Sequence, residues 1–444
     1  MKKANYLFGL SACLSILLTV GGVSCTSKHS LIPEGKAIYI PQEFDSTDFN
    51  NPASRYSYHR MAYTDDVVCF WEAPFGDDPA NAPDLNGHSM KFDVNNVMER
   101  LQSFYTYYRD TLHFIEKGSK ADKYRMMVMI NYSEEATAYG GGYDNVIGAL
   151  WVTPSRLQDP KQNALAHELG HSFQAQVGAD GMGNGKGGPI WEMTSQWMLW
   201  QVNPQWMTDE NYHWKDFMKK THLALMHFSN MYHSPYMLEY WADKHGRDII
   251  GEIWKKGLES EDPVMTYKRL TGIDQETFNA EVFEAAQKFM TYDLKRVRVE
   301  AAPYANKHES QMVKVRDGFM IAPERCPGNY GYNGIRLNVP AAGTMCTIDL
   351  TGTEPEGIKG GWRYGIVLVH KDGTPLYGKM QKSEEGALTF KMIDGEYDYL
   401  WLVVTTAPEE HSIDPNTTWN YTVKLKGLEL HPDAMTELVE SHTK

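Results

Sequence analysis

Two histidines and a glutamate occupy the run Ala166-His167-Glu168-Leu169-Gly170-His171, and a further carboxylate follows at Glu192 in Trp191-Glu192-Met193-Thr194-Ser195-Gln196-Trp197. A helix turns by about 100° per residue, so imidazoles four apart stand one above the other and can share a cation. The glutamate beside the first histidine reaches a water held in the same site. Two neutral nitrogens, one carboxylate oxygen and one position left for water form the donor set of catalytic rather than structural zinc. His167, His171 and Glu192 are therefore the candidate metal ligands, zinc is the expected cofactor, and Glu168 is the candidate general base of a hydrolysis.

These side chains need two helices to position them. Asp159-Pro160 offers a cap followed by proline at the first helical position, and Gly178 offers a stop, so one helix is expected to carry both histidines. Leu165, Leu169 and Phe173 form a second stripe on that helix, turned away from the metal face and expected in the core. Gly188-Pro189 starts the helix that carries Glu192. The intervening run from Gly181 to Gly188 contains Gly-Lys but lacks the Ser or Thr of a phosphate loop, and reads as a connector. Upstream, Asp93 is expected to cap a helix with Val97, Leu101, Phe104 and Tyr108 on its buried face. Met126 to Ile130 and Val146 to Thr153 read as strands. The second is either internal or an edge to which an extended substrate could add. Helices are expected from Pro189 to about Val297, with Trp197, Trp200, Trp206, Trp214 and Trp241 as core or cleft wall. Beyond them the pattern changes to short alternating strands between Gly, Pro and Asp turns, from Phe319 to Leu428, which is the pattern of an all-β sandwich.

The stretch from His167 to Trp197 resembles a gluzincin, the zinc metallopeptidase group whose ligands are the two histidines of this motif and a glutamate on a following helix. His167, Glu168, His171 and Glu192 match that pattern one by one. The form His-Glu-Leu-Gly-His-Ser-Phe-Gln, a glycine-rich gap and Trp-Glu is most similar to the enhancin-like and mucin-directed branch and to related secreted lipoprotein families of gut Bacteroidetes. The likeness extends to Trp362-Arg363-Tyr364-Gly365 and to Tyr397 through Pro408. It implies an α+β fold, a zincin-like metallopeptidase domain followed by an all-β, jelly-roll-like sandwich, and hydrolysis of peptide bonds in extracellular protein or glycoprotein. A glycan is then a candidate ligand of the sandwich. Gluzincins often take their oxyanion donor, a tyrosine or histidine, from the region after the second ligand helix, which nominates Tyr236, Tyr240 and His233. One departure stands out: many gluzincins place an aspartate four residues after the ligand glutamate to orient a histidine, and Gln196 occupies that position here. The competing reading is a surface glycan-binding or structural lipoprotein with a vestigial zinc scaffold. A scaffold has no use for a base, so the intact Glu168 speaks for the enzyme.

Met1-Lys2-Lys3, the apolar run from Leu7 to Val20 and Gly22-Val23-Ser24-Cys25 resemble a lipoprotein signal with Cys25 as the lipidated residue; a plain secretory signal is the alternative. Either implies export, and the first implies an outer-membrane lipoprotein touching the bilayer through its lipid alone. The expected division is 1–25 signal, 26–50 linker, 51–299 catalytic body and 300–444 sandwich. Of five cysteines, Cys69 lies in a core-like strand, while Cys326 and Cys346 could pair or remain thiols. The formal charge of −14 with no basic block excludes a nucleic-acid partner.

Overall fold

A computed structural model of the chain describes residues 31–183 and 188–437. The signal segment with Cys25 and the middle of the 181–188 connector lie outside the described residues. Among those described, no helix is long and apolar enough to cross a membrane.

The fold is α+β. Strands β1 (Met61–Tyr63), β2 (Val67–Trp71), β3 (Met126–Ile130), β4 (Ala138–Tyr143) and β5 (Ile147–Val152) form a five-stranded sheet in the order β1-β2-β3-β5-β4. The three central strands run parallel and the two rim strands antiparallel. β2 and β3 are buried at every position, as parallel strands covered on both faces must be. Their alternate side chains enter different cores. Val67, Cys69, Met126 and Val128 face the helices, while Val68, Phe70, Met127 and Met129 face Phe49 and Tyr56 of the N-terminal segment. That segment is accordingly more than the expected linker. Ala37 bridges Tyr124, and the Arg125 guanidinium binds the Glu34 and Lys36 carbonyls. Between the two readings of Val146 to Thr153, the structure selects the internal strand β5; the open edge is β4.

Helix α1 (Val94–Asp110) is capped as its sequence requires, with Asp93 accepting from the Asn95 and Asn96 amides. Helix α2 (Asn163–Ala179) carries both histidines but begins later than Asp159-Pro160 implied. Asp159 instead accepts the Lys161 amide in a turn, and Gln162 precedes the helix in the left-handed region at φ 55°. Helix α3 (Pro189–Val202) starts where Gly188-Pro189 places it. Trp197, Trp200, Trp206 and Trp241 are fully buried, and Trp214 packs partly buried against the same core.

Past the helices lie two further sheets. One orders the strands Pro375–Tyr377, Gly360–His370, Tyr397–Pro408 and Tyr332–Leu337; the other runs from Leu388–Lys391 through Met345–Thr353 and Asn420–Lys426 to Gly318–Ile321, Met312–Val315 and Met435–Thr436. Ile335, Tyr364 and Leu402 of the first meet Ile348, Tyr421 and Val423 of the second in a core of their own. The opposite face of the first sheet has another partner. Val367, Val369, Trp401 and Val403 join Phe283, Phe289 and Tyr292 in the helical core, and residue 299 itself falls inside a short helix, Arg298–Ala301. Cys69, Cys326 and Cys346 are free thiols.

Candidate metal centre

Two absent side chains let α2 be approached closely from both flanks. A Cβ on Gly170 would lie 2.8 Å from Ser195 Oγ and 3.2 Å from Ser195 Cα, so its absence allows α3 to settle against α2. A Cβ on Gly140 would lie 2.2 Å from the Glu168 carbonyl oxygen and 2.6 Å from His171 Cβ, so β4 rests directly on the same helix. The helix thus sits between the second ligand element and the open edge of the sheet.

His167, His171 and Glu192 come together in a triangle. Glu192 Oε2 stands 3.2 Å from His167 Nε2 and 3.1 Å from His171 Nε2, and the two Nε2 atoms are 3.2 Å apart. These three form a group able to hold a metal ion. Zinc bonds of about 2.0–2.2 Å in tetrahedral array separate their ligand atoms by roughly 3.3 Å, so the triangle has the size that such a cation requires. Three bare lone pairs at this distance would repel one another, so the triangle calls for a proton or a divalent cation between its atoms.

The imidazole protons are accounted for behind the triangle. His171 Nδ1 lies 2.9 Å from Gln174 Oε1, and the Gln174 amide nitrogen is spent on the Trp191 carbonyl at 2.9 Å, so His171 donates and keeps its Nε2 lone pair free. His167 Nδ1 does the same to Gln196 Oε1 at 3.0 Å. Gln196 thus fills the place of the aspartate found in many gluzincins. Burial opposes charge on His167, but its hydrogen bond to Glu192 and the nearby carboxylates outweigh it and hold the imidazole pKa above its ordinary value. Burial likewise opposes charge on Glu192, yet the two imidazoles hold its carboxyl far below the usual range. Glu168 is half-buried beside them, close enough for its charge to act on both His167 and Tyr232.

Tyr232 was not among the residues the sequence nominated. Its ring lies over His167 with centroids 6.3 Å apart, and 39% of it remains exposed. Its carbonyl receives the Gln196 amide at 2.8 Å, which ties its loop to α3. Burial, then the Glu192 charge, pushes its hydroxyl up to about 12, so it is a hydrogen-bond donor at neutral pH. The nominated tyrosines lie elsewhere. Tyr236 has no exposed surface and packs among Trp200, Phe217 and Tyr292. Tyr240 donates to Glu284 at 2.8 Å and receives Lys244. His233 turns its ring to His213 and Asp216. Tyr236 and Tyr240 stand four apart on one helix, which is core spacing, whereas Tyr232 precedes the Pro235 cap on a loop. That contrast is the signal in the sequence that favoured Tyr232.

Residues 31–431 match the model of a family of unknown function, DUF6055, and the chain belongs to that family. No curated protein matches it. Among solved structures it is similar to the ZmpB metallopeptidase from Clostridium perfringens at 13% identity and TM-score 0.32, covering 82% of this chain and 69% of that one. It is also similar to the M60 catalytic domain of ZmpC from the same organism, in complex with the sialyl T antigen, at 12% identity and TM-score 0.27, covering 83% and 69%. The M60 catalytic domain of ZmpB with its two CBM51 domains gives 9% identity and TM-score 0.30, with 85% of this chain and 60% of that one covered. Scores of this size leave the function to be read from the site itself.

Proposed function

We propose that this chain is a zinc-dependent peptidase acting on extracellular protein or glycoprotein. The observation that carries the reading is the triangle of two imidazole nitrogens and one carboxylate oxygen at 3.1–3.2 Å, with a further carboxylate, Glu168, on the same helical turn. Bound zinc would polarise the scissile carbonyl and lower the pKa of water toward about 7. Glu168 takes a proton from that water as the water oxygen bonds to the carbonyl carbon. It then passes the proton to the departing amine as the C–N bond breaks. We assign to the Tyr232 hydroxyl the hydrogen bond to the developing oxyanion.

The open edge of β4 offers a place for an extended substrate. Thr153 donates its amide to the Thr137 carbonyl at 3.1 Å, and pairing alternates along antiparallel strands, so Ala138, Gly140 and Gly142 turn their backbone groups outward. Gly140 lies against Glu168 and His171, which would bring a paired peptide beside the reacting groups. In the same reading the helical body and β1–β5 are the zincin-like domain, and the two facing C-terminal sheets are a jelly-roll-like sandwich that binds glycan. Cys25 is the lipid attachment point of an outer-membrane protein.

The test strips the purified chain of metal, restores zinc, and profiles plain proteins, mucins and mucin-type glycopeptides by mass spectrometry. New peptide termini are expected only after zinc is restored. A zinc-loaded protein that cuts none of them contradicts the proposal.

A further inference from the structure

Behind His167 the hydrogen bonds continue inward through groups that each have one free choice. Gln196 Nε2 donates to the Tyr232 carbonyl at 2.8 Å and meets His213 Nε2 at 3.1 Å. An amide nitrogen only donates, so this contact is a hydrogen bond only when His213 Nε2 is the acceptor. The His213 proton then sits on Nδ1, 2.7 Å from His233 Nδ1, which must accept it. His233 is left with its proton on Nε2, 3.3 Å from Asp216 Oδ2. Burial, together with His213 and Lys220, holds His233 down at about 4 against the pull of Asp216, so it is neutral and able to accept. Glu210 also faces His213 Nε2, at 3.4 Å, while its Oε2 receives the Trp206 indole. The His213 ring is buried and stacked on Trp206 with centroids 5.7 Å apart.

We propose that His213 is a positioning residue for the metal centre: by accepting from Gln196 it fixes which end of that amide faces His167. An amide is nearly symmetric in shape and opposite in polarity at its two ends. Rotated by half a turn, Gln196 would present its NH2 to His167 Nδ1, and the imidazole proton would have to move to Nε2, where it occupies the lone pair aimed at the triangle. The lone pair of His213 and the Tyr232 carbonyl make that rotation unfavourable. A carboxylate at position 196 has no wrong end and needs no such control. This inference rests on the metal-site reading above and adds to it the groups that set the ligand's tautomer.

The test is a mutant cycle read by zinc affinity in competition with a chromophoric chelator. His213→Phe keeps a stacked ring without an acceptor, and His213→Gln restores an acceptor near the same place. In the Gln196 background His213→Phe should weaken zinc binding by about tenfold or more, the lower range for outer-shell partners, and His213→Gln should recover most of it. In the Gln196→Glu background His213→Phe should change affinity little. Equal losses in both backgrounds would mean that His213 acts through packing, and no loss in either would also overturn the proposal while leaving the metal site intact. A wild-type chain that binds no zinc would instead overturn the metal-site reading. Should His213→Phe fail to fold, 15N-histidine spectra of the wild-type apo protein decide: His213 protonated on Nδ1 is expected, and a proton on Nε2 overturns the inference.

Discussion

Both imidazoles of the triangle give their Nδ1 protons to amide oxygens, Gln196 for His167 and Gln174 for His171. Amides orient without adding charge, so Glu192 is the sole anion among the three proposed ligands, and a divalent ion bound there would keep net positive charge to polarise a carbonyl. The transition-state anion then calls for a donor, and Tyr232 is the protonated hydroxyl beside His167. Tyr232→Phe should lower kcat by about a hundredfold, the usual cost of one oxyanion donor, with KM and zinc content little changed. Tyr240→Phe, which removes a contact to Glu284, should leave kcat near wild type; the reverse ranking would return the role to the helix. His167, His171 and Glu192 were legible in the sequence because helical spacing and one helix start are local facts. Tyr232 was not nominated: its loop position before the Pro235 cap was a signal, but what places it beside His167 is the contact of its carbonyl with Gln196 on a distant element.

Elements meet at the site through close approach. α3 reaches α2 at Gly170, and β4 reaches it from the other flank at Gly140. Gly170→Ala should push Ser195 and with it Glu192 away from the histidines. Overpacking of this kind costs about 1–3 kcal/mol, so a lower unfolding midpoint and weaker zinc binding are expected together by calorimetry and chelator competition. Unchanged values of both would show that α3 has room to move. The strands of the central sheet, apart from β4 and the short rim strand β1, could be read from their apolar runs, and so could most strands beyond residue 318. The pattern gave no strand at β4 because Gly140-Gly141-Gly142 carries no hydrophobic alternation. Its strand character comes from pairing with β5 and lying on α2. The start of α2 was misplaced for a related reason: Asp159 has a cap's chemistry but spends it on a local turn.

On the scale of the molecule, a change from helices to strands in the sequence divided the chain near residue 299, and the sheets do possess a core between them. What the division overlooked is the unbroken apolar runs Ile366–Val369 in Gly360–His370 and Leu400–Val404 in Tyr397–Pro408, whose second face meets Phe283, Phe289 and Tyr292. Ending the chain after Ala301 would uncover Val367's, Val369's, Trp401's and Val403's partners on the helices. At about 1.5–3 kcal/mol for each large apolar side chain, that loss rivals the whole stability of a domain, about 5–15 kcal/mol. The truncated chain should aggregate or unfold at a much lower temperature than the full one in a thermal scan. An unchanged midpoint would show that the helical body stands without the sheets.

In the proposed function Glu168 performs chemistry at a zinc site built by the other three residues. The decisive comparison is between wild type and Glu168→Gln for zinc content, unfolding midpoint and turnover of a peptide identified as a substrate. Gln keeps the size of the side chain and leaves His167, His171 and Glu192 intact. Zinc content and midpoint should match wild type while kcat falls by about a hundredfold or more, as removal of a positioned base requires. Equal turnover by the two proteins at equal zinc content would contradict the account.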